Sequence, residues 1–128
     1  MGVAALLLLA LLLGVQLYVR LAPLPSRTEA DDLSPRNSFA AVLTPADPGA
    51  EMARLDARIR ATPRTRVLAG SPAEGRVSYV TRSLLWGFPD ITDLWLEGAA
   101  LHLRGHAVYG RSDLGVNRRR IETWLAGP

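Results

Sequence analysis

The chain has 128 residues, of which 15 are basic and 12 acidic, for a formal net charge of +3. Every basic residue is arginine and cysteine is absent, which excludes disulfides, thiolate metal sites, thiol nucleophiles and a lipidated cysteine. Acids and arginines interleave along most of the chain with no aromatic-rich basic platform, so no nucleic-acid partner is expected.

Residues Val3 to Val19, VAALLLLALLLGVQLYV, are apolar on every face of a helix except at Gln16. Such a helix requires lipid or the middle of a large core, and the roughly 100 residues that follow can build only one small core. Seventeen residues rise about 25 Å, and Leu21 and Ala22, with Arg20 reaching for headgroups, extend this toward the roughly 30 Å of bilayer hydrocarbon. Eight leucines each favour insertion by about 0.3 to 0.6 kcal/mol, which outweighs one glutamine. Residues 1–22 are therefore expected to form a transmembrane anchor. Cleavage after Ala22 would place arginine at −3 and proline at +1, a poor signal-peptidase site, so the anchor is expected to stay on the chain. No basic residue precedes the anchor and several arginines follow it. By the positive-inside rule alone, the rest of the chain would be cytoplasmic.

Residues 23–37, rich in proline and mixed charge, predict a linker. Ser38 to Leu43 reads as a short strand or as a segment packed on the domain edge. Asp47-Pro48 is a helix start, and Met52, Leu55 and Ile59 follow at helical spacing until Pro63 stops the run. Four strands are predicted: Thr65 to Ala69, Gly75 to Leu84, Ile91 to Glu97 and Leu101 to Tyr109. By alternation, Val77, Tyr79, Thr81, Leu94, Leu96, Leu101, Leu103 and Ala107 face the core. Arg76, Ser78, Arg82, Asp93, Trp95, Glu97, His102, Arg104 and His106 occupy a wetter face, where acids and bases oppose one another. A closing helix from about Gly115 to Ala126 buries Ile121, Trp124 and Leu125. The sum is one α+β domain over residues 38–128, two layers deep, with an antiparallel sheet of about four strands and two helices.

His102 and His106, four apart on a strand, stand about 13 Å apart, too far for one metal ion, and no metal site is expected. Ser112, Asp113 and His106 lack a nucleophile elbow and a triad order, so no catalytic set is expected there. Gly70 to Gly75 is too short, and lacks the lysine, for a phosphate loop; it reads as a hairpin turn, and no cofactor is expected. The richest stretch is GRSDLGVNRRRIETWL, Gly110 to Leu125. Ser112 or Asp113 can cap the closing helix, or Asn117 if the helix begins later. Arg118, Arg119 and Arg120 splay around one turn. One of them, or Arg111, folding back onto Asp113 would make a structural clamp; arginine forks and backbone N–H groups facing outward would make a small-anion site.

Two blocks, YVTRSLLWGFPD (Tyr79 to Asp90) and GRSDLGVNRRRIE (Gly110 to Glu122), resemble the bacterial domain-of-unknown-function 1499 family across roughly Ser38 to Leu125. The resemblance implies a small extracytoplasmic or membrane-tethered domain with no assigned activity. The family's arginine-serine falls on Arg82 and Ser83, its phenylalanine-acid turn on Phe88 and Asp90, and its S-D-L-G-V-N block on Ser112 to Asn117. The family's second acid in that turn is Ile91 here, which argues against a paired-carboxylate or cation role. A cysteine-bearing entry segment that members often carry is replaced by the hydrophobic helix.

The expectation is a single-pass inner-membrane protein whose periplasmic domain is non-enzymatic, binding a partner protein or small anion or serving a structural role in the envelope. The resemblance decides the side of the membrane against the charge count. The candidate cluster is Arg82, Asp90, Arg111, Ser112, Asp113, Asn117 and Arg118. The alternative is a hydrolase-type enzyme acting on an acidic substrate through the same arginine, aspartate and asparagine groups, which would require them to converge on an open pocket.

Overall fold

The computed structural model describes residues 2–24 and 33–127; most of the expected linker, residues 25–32, lies outside the described residues. Helix α1 spans Val3–Leu21 and is long and apolar enough to cross a membrane. Its leucines from Leu6 to Leu13 stand largely exposed, and only Val19, near its end, is buried against the rest of the chain.

The remainder runs β1 (Ser38–Leu43), α2 (Pro48–Arg60), β2 (Thr65–Ser71), a single 3-10 turn (Pro72–Glu74), β3 (Arg76–Arg82), β4 (Pro89–Glu97), β5 (Ala100–Ala107) and α3 (Val116–Ala126). The strands form one sheet in the order β1-β5-β4-β3-β2, and every neighbouring pair is antiparallel. The sheet thus has five strands, where the sequence predicts about four. SFAAVL is a full edge strand, registered on β5 from Ser38 opposite His106 to Leu43 opposite Leu101. Its two alanines and half-exposed pattern give a weak periodic signal, because an edge strand buries little of either face.

Helix α2 begins where Asp47 Oδ1 accepts the Ala50 N–H at 3.0 Å, with Pro48 in the first turn. Met52, Leu55 and Ile59 then pack on Val77, Tyr79, Leu94, Leu101 and Leu103, beside Ile121 and Trp124 of α3. Leu125, expected inside, is only half-buried. Two bonds tie the helices together: Trp124 Nε1 donates to Thr62 Oγ1 at 2.8 Å, and Arg58 Nη1 donates to the Trp124 carbonyl at 2.7 Å. Within this core the Tyr79 hydroxyl donates to Asp56 Oδ1 at 2.5 Å. Burial, then the Asp56 carboxylate, pushes that phenol well above its ordinary range.

The opposite face of the sheet is not the wet surface that alternation suggests. Asp93, Arg104 and His106 are 1%, 5% and 4% exposed, and Val80 and Ile91 are buried between them. Register places Asp93 against both Ser78 and Arg104. The Ser78 hydroxyl donates to Asp93 at 2.5 Å, and the Arg104 guanidinium lies 3.5 Å from the same carboxylate. Trp95 stacks on His102 at 4.8 Å, with Arg76 and Arg104 near its ring. Burial, partly opposed by Asp93, pushes the His106 imidazole below its ordinary value.

Candidate functional site

The start of α3 is built from the block Ser112 to Asn117. Leu114 and Gly115 take consecutive left-handed conformations, φ 54° and 77°, which turn their N–H groups back on the preceding side chains. Ser112 Oγ accepts the Leu114 N–H at 3.2 Å, and Asp113 Oδ1 accepts that of Gly115 at 2.9 Å. Asp113 Oδ2 takes two more bonds, from the Asn117 backbone at 3.2 Å and from Asn117 Nδ2 at 2.9 Å. A left-handed leucine costs about 1 to 2 kcal/mol, and these bonds offset it while satisfying the N–H groups at the helix start.

Asn117 carries the network inward. It is fully buried, and its Oδ1 accepts from Arg120 Nη1 at 3.3 Å. The same Arg120 nitrogen donates to Asp90 Oδ2 at 2.9 Å. The chain Asp113–Asn117–Arg120–Asp90 therefore fastens the first turn of α3 to the start of β4. Gly105 on β5 makes room for it, since a Cβ there would lie 2.6 Å from Asn117 Oδ1.

The two carboxylates respond in opposite directions. Burial raises the Asp113 carboxyl, but the bonds from the Asn117 side chain and the Gly115 and Asn117 backbone outweigh it and hold the group below its ordinary value. At Asp90 burial dominates; Arg120 lowers it, Asp113 raises it again, and the group sits above its ordinary value. Between them is a hollow of about 190 Å³, lined by Asp90, Tyr109, Ser112, Asp113 and Arg120. Two acids in its wall make it a poor seat for an anion.

The seven residues singled out in the sequence do not form one surface. Asp90, Ser112, Asp113 and Asn117 come together. Arg111 is exposed, and Arg118 turns away to Glu122 at 2.9 Å and to the Phe39 ring. The arginine that belongs to the network is Arg120, and not Arg118, which the sequence singles out for the cluster. Its signal was the one-turn spacing from Asn117, which puts both on one helix face.

Arg82 lies on the other side of the sheet, and it marks a second site. Its side chain is 7% exposed, and Nη1 donates to the carbonyls of Gly87 at 3.0 Å and of Val19, in the last turns of α1, at 3.3 Å. Arg64 is locked to it: the Arg82 N–H donates to the Arg64 carbonyl, and Arg64 Nε donates to the Arg82 carbonyl, both at 3.0 Å. These bonds hold Arg64 in a left-handed conformation, φ 58°, that non-glycine residues rarely adopt. Beside them, Arg20, Arg64, Thr65, Arg66, Val80 and Arg82 line a cavity of about 300 Å³. Among the described residues no acid lines it, and none of its four arginines pairs with a carboxylate. Burial, then the charges of Arg20 and Arg66, pushes the Arg82 guanidinium below its ordinary value. Several guanidinium forks around one cavity suit a tetrahedral or planar oxyanion. No sequence pattern pointed to this grouping, because its members come from α1, β2 with the residue before it, and β3.

The model of a family described as "Protein of unknown function (DUF1499)" matches residues 21–127, from the last residue of α1 to just past the end of α3. No curated protein matches the chain.

Proposed function

The chain belongs to the DUF1499 family, whose description carries no activity, and we propose that it is a membrane-anchored, non-enzymatic domain that binds a small anion at the Arg20–Arg64–Arg66–Arg82 cavity. The observation that carries the reading is the cavity itself: four arginines, one of them buried, with no lining acid among the described residues. Like charges gathered this way repel, and an oxyanion seated among them converts repulsion into charge-assisted hydrogen bonds. At the Asp113 cluster both carboxylates are engaged by Arg120, Asn117 and backbone N–H groups. That supports a structural role there, with Asn117 and not an arginine holding Asp113, in preference to acid–base chemistry on an acidic substrate.

Inorganic phosphate titrated calorimetrically into the full chain tests the reading. Each lost charge-assisted bond is worth about 1.5 to 3 kcal/mol, so Arg64→Gln with Arg66→Gln is expected to weaken binding by at least about tenfold. Arg118→Gln, on the far helix, is expected to bind like the wild type. Equal affinity in the double variant and the wild type would contradict the proposal.

In this reading α1 is a single inner-membrane span and the domain is periplasmic. The family resemblance supports that side, and the arginines after α1 oppose it. An export-dependent reporter fused after Pro128 is expected to be active. Activity only from a reporter that requires the cytoplasm would reverse the orientation and leave the anion site untouched.

A further inference from the structure

The loop joining β3 to β4, Ser83 to Phe88, lies along α1 and well inside its end. Gln16 Nε2 donates to the Leu85 carbonyl at 2.6 Å and to that of Leu84 at 3.4 Å. Gln16 precedes the last residue of α1 by five positions, a rise of about 7 to 8 Å along the helix axis. The approach is close because residue 87 is glycine: a Cβ there would meet Gln16 Oε1 at 2.5 Å. Gln16, the one polar residue of the apolar segment, thus gives its amide N–H to the backbone of this loop, while its Oε1 accepts from Arg20 Nε at 3.3 Å and Nη2 at 3.2 Å.

The loop side chains are apolar and face outward. Leu84 is 76% and Leu85 57% exposed, beside Leu17 at 60% and Tyr18 at 68% on α1. Trp86 stacks on Phe88 behind them, at 6.3 Å between ring centres. An exposed leucine pair on a water-facing loop is unfavourable, but here it continues the apolar surface of a helix suited to lipid. The arginine cavity borders the same structure, since Arg82 holds the carbonyls of both Gly87 and Val19 and Arg20 lies in the last turn of α1. Apolar side chains below and guanidinium groups above match the layering of acyl chains and phosphates in one leaflet.

We propose that the Ser83–Phe88 loop is a wedge inserted into the leaflet where α1 ends, and that the anion held by Arg20, Arg64, Arg66 and Arg82 is the phosphate of an anionic phospholipid in that leaflet. The second half rests on the anion reading above; the first does not. The domain is then seated on the bilayer, the β3–β4 end of its sheet fixed against the membrane.

The absence of cysteine makes the test direct. Leu85→Cys, and separately Leu84→Cys, is spin-labelled in the full chain and reconstituted in phosphatidylcholine vesicles doped with phosphatidylglycerol. Glu74→Cys, at the opposite end of β3, is the control. The labels at 84 and 85 are expected to be reached by oxygen and shielded from a water-soluble nickel chelate, with the reverse at 74. Spin-labelled phosphatidylglycerol is expected to gather around the unlabelled chain in preference to phosphatidylcholine. Arg64→Gln with Arg66→Gln should reduce that preference on the order of tenfold or more, with the loop depth unchanged. Labels at 84 and 85 open to the chelate would overturn the wedge. Inserted labels with no lipid preference, while inorganic phosphate still binds, would overturn the lipid source and leave the anion site standing. Loss of both phosphate and lipid binding would remove the anion reading itself.

Discussion

Gly105→Ala is expected to destabilise the domain by about 3 kcal/mol. The new Cβ would lie 2.6 Å from Asn117 Oδ1, 3.2 Å from its Cγ and 3.4 Å from its Cβ, so the whole side chain would have to shift. Asn117 has nowhere to go. It is fully buried, its amide nitrogen holds Asp113, and its oxygen receives Arg120. Moving it lifts the first turn of α3 from β5 and loosens the link to Asp90. For a domain of this size the loss corresponds to a fall in Tm on the order of 10 °C or more, read by thermal unfolding. Gly49→Ala is the control, because a Cβ at that α2 position meets only Asp47 Oδ1 at 3.7 Å. There Tm is expected to hold or rise slightly. A Gly105→Ala chain that melts like the wild type would show that Asn117 is not pinned.

Asp113→Ala is expected to cost about 2 to 4 kcal/mol: about 1 kcal/mol for the lost cap and about 1 to 3 kcal/mol for a buried amide left without its acceptor. The pH dependence has a definite sign. The Asp113 carboxyl is held below its ordinary value in the folded chain, so its contribution is present above about pH 4 and is lost as the pH falls through the folded-state value. Wild type and variant should therefore converge in strongly acidic buffer. Asp90→Asn behaves differently. Burial raises that carboxyl despite Arg120, so the charge there is disfavoured by folding, and an amide oxygen still accepts from Arg120. It is expected to change Tm much less than Asp113→Ala. An Asp113→Ala chain with unchanged Tm but altered phosphate binding would transfer the block from clamp to binding site.

Periodicity made much of this architecture legible. The unbroken apolar run marked α1, Asp47-Pro48 with Met52, Leu55 and Ile59 marked α2, and period-two alternation marked β3, β4 and β5 with their core faces. For β1 the sequence leaves open a short strand or an edge segment, because SFAAVL is at most half-buried on either side. Alternation predicts a wet second sheet face because antiparallel two-layer domains commonly leave that face to solvent, whereas Asp93, Arg104 and His106 are buried. Val80 and Ile91, which share it with Asp93 and His106, were the available warning. The Asp113 block was visible because it is contiguous in sequence. Its extension to Arg120 and Asp90 depends on the packing of α3 against β4, which no local pattern states. Arg82 was grouped with Asp90 although strand parity separates them, since Asp90 is opposite Thr81 and shares its face. Arg20, Arg64, Arg66 and Arg82 are strewn over more than sixty positions, and only the folded chain gathers them.

The proposed anion site lies where α1 ends and not along α3. Side-chain Nε–H resonances of the full chain in zwitterionic micelles, followed as inorganic phosphate is added, read this residue by residue. The signals of Arg20, Arg64, Arg66 and Arg82 are expected to move together and saturate, while those of Arg111, Arg118 and Arg119 stay in place. Saturable shifts at Arg111, Arg118 and Arg119 with the other four silent would move the anion to α3 and overturn the proposed site.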